Sequence, residues 1–231
     1  MPWSPQPIRA LTLDLDDTLW PVLPTIVRAE AALQRWLALH APAVDERFDL
    51  AAMRAMREAV ARERCDLAHD LGAARRETIR RLLAAVGEDE ALAAPAFEVF
   101  FAERQQVEFY ADALPALERL AARWPLLGLS NGNADLQRIG IGQRFIGSVN
   151  AREAGVGKPD RRIFALACER LRCAPHEVLH VGDDLVLDVR GAIGAGLQAA
   201  WLRRGATSRD AAAPHCWQGP DLLTLAERLG A

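Results

Sequence analysis

Lysine is almost missing from this chain, which otherwise uses arginine for positive charge. The 231 residues include 28 lysine and arginine residues, and only Lys158 is a lysine. A compact ammonium group and a planar guanidinium group are not interchangeable at a tight site. A single lysine among arginines therefore indicates a position that arginine cannot fill, unless it has survived by chance.

Other scarcities restrict the class of protein. The formal net charge of −3 leaves no basic excess for binding nucleic acid. No apolar run is long enough to span a bilayer, and the amino terminus lacks the basic and apolar regions of a signal peptide. The four cysteines form no Cys-x-x-Cys pair, so we expect reduced thiols. We expect a cytoplasmic protein that binds neither nucleic acid nor membrane, and its oligomeric state stays open.

Helical patterns dominate from Thr25 to Tyr110, where alanine, leucine, arginine and glutamate are frequent and β-branched runs are missing. A block of roughly eighty residues is too long for an ordinary connection between two strands. We therefore predict an inserted helical domain at residues 23–110 and a second domain formed by residues 1–22 and 111–231. The helices predicted in the insertion lie at 25–39, 49–64, 66–86 and 88–110.

Strands that alternate with helices surround this insertion. The alternation predicts an α/β fold with a doubly wound parallel sheet. A loop is predicted at 207–219. The predicted strands lie at 8–13, 126–129, 145–149, 178–181 and 198–202, and the predicted helices at 115–123, 135–139, 161–170, 188–195 and 222–229.

Aspartates follow the first predicted strand directly. Asp14 and Asp16 are two residues apart, so in an extended segment their side chains point the same way. Two close carboxylates repel each other unless a cation lies between them or one takes a proton. Mg²⁺ could share one carboxylate and a backbone carbonyl, and a protonated second acid could donate to a leaving oxygen. A solvated turn rich in aspartate is the alternative interpretation.

Polar residues also lie at other strand ends. Ser130 and Asn131 follow the second predicted strand, Asp183 and Asp184 follow a later one, and Lys158 lies in a loop. The carboxyl ends of parallel strands share one edge of the sheet, so these groups can converge. Each feature alone also fits an ordinary turn or a helix N-cap. Those explanations do not account for all of them occurring in this order.

These motifs resemble, in order, the four motifs of the haloacid dehalogenase-like hydrolase superfamily. The first is DLDDT at 14–18, the second is Ser130, the third is GKPD at 157–160, and the fourth is GDDLVLD at 182–188. The helical insertion after the first motif is similar to the C1-type cap of that family. Four ordered motifs and a cap are far more specific than one short pattern.

The resemblance implies a reaction mechanism and a cofactor. Asp14 would be the nucleophile that attacks phosphorus and forms an aspartyl-phosphate. Asp16 would protonate the leaving alcohol and then take a proton from the hydrolytic water. Mg²⁺ would be held by Asp14, the backbone carbonyl of Asp16, and Asp183.

The resemblance also implies supporting roles for the later motifs. Lys158 would lie against the phosphate as a point charge. Ser130 and the amide of Asn131 would donate hydrogen bonds to phosphate oxygens. Asp188 would orient Lys158 or a metal-bound water, and Asp184 is a further candidate for such a supporting position.

The second aspartate of the first motif separates two activities within the superfamily. The dehalogenases lack it, because a halide leaves without a proton whereas an alkoxide benefits from a proton donor. Asp16 therefore favours a phosphatase that acts on a small-molecule phosphate ester. Two alternatives stay open: a phosphosugar mutase, which passes the phosphoryl group to a second hydroxyl, and a phospho-accepting regulatory module.

A closer resemblance concerns phosphatases of the flavin pathway. It rests on LDLDDTLW at 13–20, WPL at 124–126, SNGN at 130–133 and HVGDD at 180–184. Those enzymes dephosphorylate 5-amino-6-(5-phosphoribitylamino)uracil in riboflavin biosynthesis, and also flavin mononucleotide. The resemblance implies one of these two esters as the substrate.

For three further residues a structural role is weighed against a functional one. Trp20 could stack on a flat substrate ring, although packing beside the catalytic turn is the commoner role. Arg75 could reach substrate hydroxyls or phosphate, although a solvated arginine is the usual outcome on such a helix. His180 lies inside a predicted strand and is interpreted as a core residue.

Overall fold

A parallel sheet of six strands organises the first of two compact units into which the chain divides. The structure is a computed structural model, and it describes residues 7–204 and 216–231. The strand order is β3-β2-β1-β4-β5-β6, so the chain builds outwards from β1 in both directions. The strands are β1 (Ala10–Leu13), β2 (Leu126–Ser130), β3 (Gly147–Asn150), β4 (Val178–Gly182), β5 (Gln198–Leu202) and β6 (Trp217–Gly219).

The central strands are buried along their whole length, which explains their nearly continuous apolar sequences. Every residue of β1, β2 and β4 is buried, as expected for a parallel sheet covered on both faces. Leu13 pairs with Gly128 of β2 and with Val181 of β4. The residues that follow these three strands therefore emerge at one edge of the sheet. The predicted doubly wound α/β class is confirmed.

Helices cover the sheet unit, and α9 (Arg161–Leu171) packs against β2 and β3. Phe164 and Ala167 of α9 lie in one hydrophobic cluster with Leu127 and Leu129 of β2. A π-helical segment, Leu185–Arg190, precedes α10 (Gly191–Gly194). The α-helices of this unit are α6 (Ala113–Ala121), α7 (Leu136–Ile139), α8 (Ala151–Ala154), α9 (Arg161–Leu171), α10 (Gly191–Gly194) and α11 (Leu222–Arg228).

Two predictions for this unit were wrong. The helix predicted at 188–195 begins earlier, because the Asp184 side chain accepts from the backbone N–H groups of Val186 and Leu187. The first part of that helix is π-helical, with the Val189 N–H donating to the Asp184 carbonyl. The predicted loop at 207–219 contains strand β6 at its end, and its residues 207–215 lie outside the described part of the chain.

The second unit spans Val22–Val107 and is entirely helical in its regular structure. The first unit comprises Met1–Pro21 and Glu108–Ala231; the sequence-based prediction sets the insertion at 23–110. Leu37, Ile79, Leu83 and Phe100 belong to the hydrophobic cluster at its centre. Its α-helices are α1 (Val22–His40), α2 (Pro42–Arg47), α3 (Leu50–Glu63), α4 (Leu71–Val86) and α5 (Ala93–Arg104).

Two helices of this unit are shorter than predicted, and capping explains the start of one of them. The helix predicted at 66–86 begins only at Leu71, because the Asp70 side chain accepts from the Ala73 N–H and caps it. A 3₁₀ turn, Cys65–Leu67, precedes it. The helix predicted at 88–110 is shorter and starts after another 3₁₀ turn, Glu90–Leu92. Within the described residues, no helix combines the length and the hydropathy needed to cross a membrane.

Candidate active site

Asp14 follows β1 directly and is a buried carboxylate at the carboxyl edge of the sheet. Only 7% of the residue is exposed. Its Oδ1 accepts from Lys158 Nζ at 2.5 Å, and its Oδ2 lies 3.2 Å from the Thr18 hydroxyl. Burial raises the pKa of Asp14 well above its ordinary value, although the Lys158 charge acts in the opposite direction. An ionised Asp14 is therefore a poorly solvated, partly neutralised carboxylate.

Lys158, the single lysine, lies between two buried carboxylates. Its Nζ is 2.5 Å from Asp14 Oδ1 and 2.6 Å from Asp188 Oδ1, and 5% of the residue is exposed. Burial alone would lower the pKa of Lys158, but the two carboxylates raise it above its ordinary value. The ammonium group therefore stays charged and fixes the position of Asp14. This geometry supports the prediction that the lysine occupies a tight site.

Asp188 holds Lys158 through a buried hydrogen-bond network. His180 Nε2 lies 3.0 Å from Asp188 Oδ1, and His180 Nδ1 lies 2.8 Å from the Thr12 hydroxyl. Burial lowers the pKa of His180, so a neutral ring that donates from Nε2 and accepts at Nδ1 fits both contacts. Asp188 Oδ2 accepts from the backbone N–H of Asp184 at 3.0 Å. Both oxygens of Asp188 are therefore engaged within the protein.

Glycine is required beside Asp188. A Cβ atom on Gly182 would lie 2.3 Å from Asp188 Cγ, which is far inside van der Waals contact. The GDDLVLD motif therefore needs glycine at position 182, because any larger residue would displace the Asp188 carboxylate that packs against the strand. His180, interpreted from the sequence as a core residue, is buried and also orients this carboxylate.

Asp183 joins Asp14 in a cluster that fits a metal ion. The Thr18 hydroxyl lies between them, 3.1 Å from Asp183 Oδ1 and 3.2 Å from Asp14 Oδ2. Carboxylate oxygens of Asp14, Asp183 and Asp188 lie within 4.8 Å of one another. Burial, and then the charge of Asp188, raise the pKa of Asp183 to about 7. Crowded carboxylates with raised pKa values are the donor set that a hard divalent cation neutralises.

The engagement of Asp188 distinguishes it from the other two members of this cluster. Lys158, His180 and the Asp184 N–H already occupy its oxygens. Its pKa is lowered, because the Lys158 charge and the His180 hydrogen bond outweigh the effect of burial. Asp14 and Asp183 are therefore the side chains best suited to hold a metal, and Asp188 supports Lys158.

Asp16 is held by Trp20 within the same loop. The indole Nε1–H of Trp20 donates to Asp16 Oδ1 at 2.8 Å, and the two residues form an isolated β-bridge. The Trp20 ring is fully buried and meets Phe109 edge-on at a centroid distance of 5.6 Å. A ring without an exposed face cannot stack on a ligand in this structure. Trp20 therefore packs beside the turn that carries Asp16, as in the commoner of its two interpretations, and its indole also orients Asp16.

Asn131 ties the loop of the second motif to the loop of Lys158. Its Oδ1 accepts from the Lys158 backbone N–H at 2.6 Å, and its Nδ2 donates to the Lys158 carbonyl at 2.9 Å. A Cβ atom on Gly157 would lie 2.9 Å from Asn131 Oδ1, so glycine is needed for this approach. Ser130 is buried, and its Oγ accepts from the Gly132 N–H. The Asn131 side chain therefore holds the two loops together.

Two predicted site residues have other partners. The Asp184 side chain caps the π-helical segment, so its contribution to Asp188 comes from its backbone N–H. Arg75 lies on α4 in the helical unit, where its Nη1 donates to Glu30 Oε1 at 2.6 Å. Its guanidinium also lies 4.1 Å from the centroid of the Phe100 ring. The predicted contact of Arg75 with a substrate stays a prediction.

Two contributors to the site were missed from the sequence. Thr18 belongs to the DLDDT motif but was given no role, although a short polar side chain at its end was a usable signal. Arg204 gave no local signal. Its Nε donates to the Thr18 carbonyl at 2.7 Å, and its two Nη groups pair with both Asp112 carboxylate oxygens at 2.8 Å.

Replacing Arg204 by methionine is expected to lower both the free energy of unfolding and kcat. The change leaves the Asp112 carboxylate and the Thr18 carbonyl without their guanidinium partner, at a cost of about 2–3 kcal/mol. The loop that carries Asp14 and Asp16 also loses its brace, so kcat should fall about tenfold while KM changes less. Urea titration and initial rates measure the two effects.

The matched control for that variant is Arg9→Met. Arg9 also pairs with a carboxylate, that of Glu177, but its side chain is 62% exposed. Exposed ion pairs contribute little, so neither stability nor turnover should change noticeably. Equal behaviour of the two variants would contradict a bracing role for Arg204.

The motifs, now seen at one edge of the sheet, match a known family. A family model of haloacid dehalogenase-like hydrolases matches residues 8–196. The chain belongs to the haloacid dehalogenase-like hydrolases. The resemblance of its four motifs to that superfamily is confirmed. In this haloacid dehalogenase-like hydrolase, the motif residues Asp14, Lys158, Asp183 and Asp188 form one contiguous charged cluster.

Relatives of this hydrolase cover most of its length. The 5-amino-6-(5-phospho-D-ribitylamino)uracil phosphatase YigB of Escherichia coli is 35% identical over 200 residues, which are 85% of this chain and 84% of that protein. The phosphoserine phosphatase of Thermus thermophilus is 32% identical over 229 residues, 88% of this chain and 92% of that protein.

A solved structure is also similar to this hydrolase. The 2-haloacid dehalogenase from Pseudomonas syringae pv. Tomato superposes with a TM-score of 0.90 at 35% identity, over 96% of this chain and 98% of that one. Relatives with different named activities therefore share this fold, and the site residues have to distinguish between them.

Proposed function

We propose that the protein is a phosphatase that hydrolyses a small-molecule phosphate monoester through an aspartyl-phosphate on Asp14. Its family makes it a hydrolase, and relatives named as phosphatases support phosphate esters as its substrates. The observation that carries the proposal is the pair of aspartates in one loop. Asp14 is buried against Lys158, while Asp16 is partly exposed and oriented by the Trp20 indole.

The first half of the reaction uses both aspartates. The Asp14 carboxylate attacks phosphorus, the bond from phosphorus to the ester oxygen breaks, and Asp16 gives that oxygen its proton. Lys158 keeps Asp14 in place and offsets negative charge at the phosphoryl group. Ser130 is the last residue of β2 and Asn131 follows it directly, and the Ser130 Oγ and the Asn131 backbone amide would donate to phosphoryl oxygens.

The second half restores the enzyme. Asp16, now ionised, takes a proton from a water molecule as that water attacks the phosphorus of the aspartyl-phosphate. The bond from phosphorus to Asp14 breaks, and inorganic phosphate leaves with the carboxylate of Asp14 free again. The net change is the addition of one water molecule across the ester bond.

We further propose that Mg²⁺ is held by the Asp14 and Asp183 side chains and by the backbone carbonyl of Asp16. When bound, the ion neutralises charge so that an anionic carboxylate can approach an anionic phosphate. The donor set supports this assignment, because both carboxylates are crowded, carry raised pKa values and share the Thr18 hydroxyl.

Asp16 also supports phosphate esters over haloacids. The dehalogenase from Pseudomonas syringae has a very similar fold, and in such a reaction the leaving halide needs no proton. An alkoxide is a poor leaving group without one, so a second acid beside the nucleophile is useful for ester hydrolysis. The indole that fixes Asp16 would be superfluous in a dehalogenase.

The relative from Escherichia coli suggests 5-amino-6-(5-phosphoribitylamino)uracil as the substrate. Flavin mononucleotide, the other ester that the motif resemblance implies, is the second candidate. The test is phosphate release with and without Mg²⁺ from both compounds, phosphoserine, sugar phosphates, nucleoside monophosphates and an aryl phosphate, with 2-chloropropionate as the haloacid. We expect Mg²⁺-dependent phosphate release, highest in kcat/KM for the ribityl ester.

Asp16→Asn and Asp17→Asn form a matched pair for this test. Asp17 has a φ of 57°, and asparagine tolerates that left-handed conformation. We expect Asp16→Asn to lose at least about a hundredfold in kcat and Asp17→Asn to keep it. Chloride release without phosphate release would overturn the phosphatase proposal. Transfer of the phosphoryl group to a second sugar hydroxyl would favour a mutase. A long-lived phosphoprotein would favour a regulatory module.

Mg²⁺ is expected to stabilise the protein, and more so at high pH. With the pKa of Asp183 at about 7 in the folded protein, the folded state holds a proton that the unfolded state has lost. Stability without metal should therefore fall as the pH rises from about 4 to 7. Above about pH 7, Mg²⁺ at a hundred times its dissociation constant should add about 2.7 kcal/mol.

Thermal unfolding with EDTA or Mg²⁺, at several pH values, measures this effect. Asp183→Asn carries no ionisable group there, so it should lose the part of the fall of stability with pH that comes from Asp183, while Asp14 keeps its own part. It should also lose most of the stabilisation by Mg²⁺. A wild-type protein whose unfolding temperature is the same with EDTA and with Mg²⁺ at high pH would contradict the proposed metal site.

A further inference from the structure

The helical unit contains a cavity between three of its helices. Helix α1 packs against α5, and α3 packs against α4, while a cavity of 310 Å³ lies between α1, α3 and α4. We call this cavity the α1/α3 groove and define it by Leu23 and Val27 on α1, Leu50 and Arg54 on α3, and Arg75 and Ile79 on α4. Its volume falls at the lower end of the range for small-molecule sites.

The rim of the groove is apolar and exposed. Leu23, Val27 and Leu50 are 70%, 58% and 61% exposed, and they are three of the eight large hydrophobic side chains exposed in the described part of the chain. Single exposed apolar residues are ordinary, but a cluster around a cavity indicates a binding surface. The apolar lining favours a ligand with a ring-sized hydrophobic body.

One side of the groove carries an excess of positive charge. Glu30 Oε1 accepts from Arg57 Nη1 and from Arg75 Nη1, both at 2.6 Å. Arg54 also lines the groove, and among the described residues its side chain has no hydrogen-bond or ion-pair partner. Three guanidinium groups and one carboxylate give the lining a net formal charge of +2. An anionic group would therefore be attracted to Arg54 and Arg57.

We propose that the α1/α3 groove binds a small organic anion, with its apolar body between α1 and α3 and its acidic group on Arg54 and Arg57. The Glu30 carboxylate already fixes Arg57 and Arg75, so the cationic side of the site is ordered before a ligand arrives. A second copy of this chain is a poorer occupant. In a twofold dimer the same patch faces itself, which would bring two surfaces of charge +2 together.

The test uses a pair of fluorescent probes that differ in charge. Anilinonaphthalene sulfonate carries an anionic group on an aromatic body, and N-phenylnaphthylamine has the same type of body without the charge. Fluorescence titration of the full chain should give a single site for the sulfonate. We expect the neutral probe to bind at least about tenfold more weakly, the ratio of dissociation constants that corresponds to about 1.4 kcal/mol.

One variant tests the cationic side of the groove and another tests its apolar rim. Arg54→Glu should weaken the sulfonate at least tenfold and leave the neutral probe unchanged. Leu50→Asp should weaken both probes. Leu50 begins α3, where an acidic residue is favoured by the helix dipole, so this variant should fold. Circular dichroism and the unfolding temperature verify the fold of each variant.

Matched controls lie on the same two helices outside the groove. Leu39 on α1 is exposed and Arg62 on α3 is exposed, and neither lines the cavity. Leu39→Asp and Arg62→Glu should bind both probes as the wild type does. Equal affinities of the two probes, or equal losses in variants and controls, would overturn the proposal. A dimer in sedimentation that dissociates with Leu50→Asp would overturn it in favour of self-association.

Discussion

Replacing Asp14 by asparagine is expected to abolish turnover while making the metal-free protein more stable. The amide cannot form the bond to phosphorus, so kcat should fall by about 10⁴-fold or more. The pKa of Asp14 is raised by burial, so above that pKa the folded state has to bury an unfavourable charge. Asparagine removes this charge, and the free energy of unfolding in EDTA at about pH 8 should rise by about 1 kcal/mol.

The control for this variant is Asp135→Asn. Asp135 caps α7 by accepting from the Gln137 N–H, and asparagine caps a helix equally well. Stability and phosphate release should both stay at the wild-type level. If Asp14→Asn were instead less stable than the wild type in EDTA, the pairing with Lys158 would outweigh burial, and the proposed crowding of carboxylates would be wrong.

Replacing Lys158 by methionine is expected to produce the largest loss of stability. The ammonium group is paired with both Asp14 and Asp188, which are buried, and offsets part of their negative charge. Removing one partner of a buried ion pair leaves an uncompensated charge and costs about 3–5 kcal/mol. Because protonation of Asp14 relieves the penalty, the loss should be smaller at about pH 5 than at pH 8. The kcat should also fall by orders of magnitude.

Lys158→Arg tests whether any cation suffices. A planar guanidinium group is larger and its donors point in fixed directions, so it cannot replace an ammonium that contacts two carboxylates at 2.5 and 2.6 Å. We expect most of the activity to be lost in this variant as well. Urea titrations and initial rates for both variants measure these losses, and full activity of Lys158→Arg would refute the inference drawn from the single lysine.

The strands and the charged residues after them were predictable because their signals are local. The strand β1 is a mostly apolar run that ends at Leu13 just before Asp14, and β4 ends at Gly182 just before Asp183. In a parallel sheet such strand ends meet at one edge. The sequence therefore indicated which residues converge, although the family resemblance was needed to assign them roles.

The interactions that support these residues were not predictable in the same way. Arg204 braces the loop after β1 from a position 186 residues further along the chain, and no local pattern marks it. The hydrogen bond from Trp20 to Asp16 depends on a loop conformation that follows from Asp17, whose φ is 57°. Contacts of this kind are set by the folded chain rather than by any periodicity.

Some helix boundaries could not be predicted, because two nearby residues could each have capped the same helix. Asp66 and Asp70 are both suitable N-caps, and only the structure shows that Asp70 caps α4. The π-helical segment after Asp184 shares its composition with an ordinary helix. The α1/α3 groove could not be predicted either, because the spacing of apolar residues on α1 and α3 does not show that a cavity separates the two helices.

The scarcity of lysine has a chemical consequence for the native protein. Lys158 is the one side-chain amine of the chain, and an acylating reagent reacts only with a neutral, accessible amine. In the folded state the group is protonated, buried and held between Asp14 and Asp188. Acylation at Lys158 therefore requires local opening of the site. The rate at which Lys158 is acylated in the native protein therefore measures how often the site around it opens.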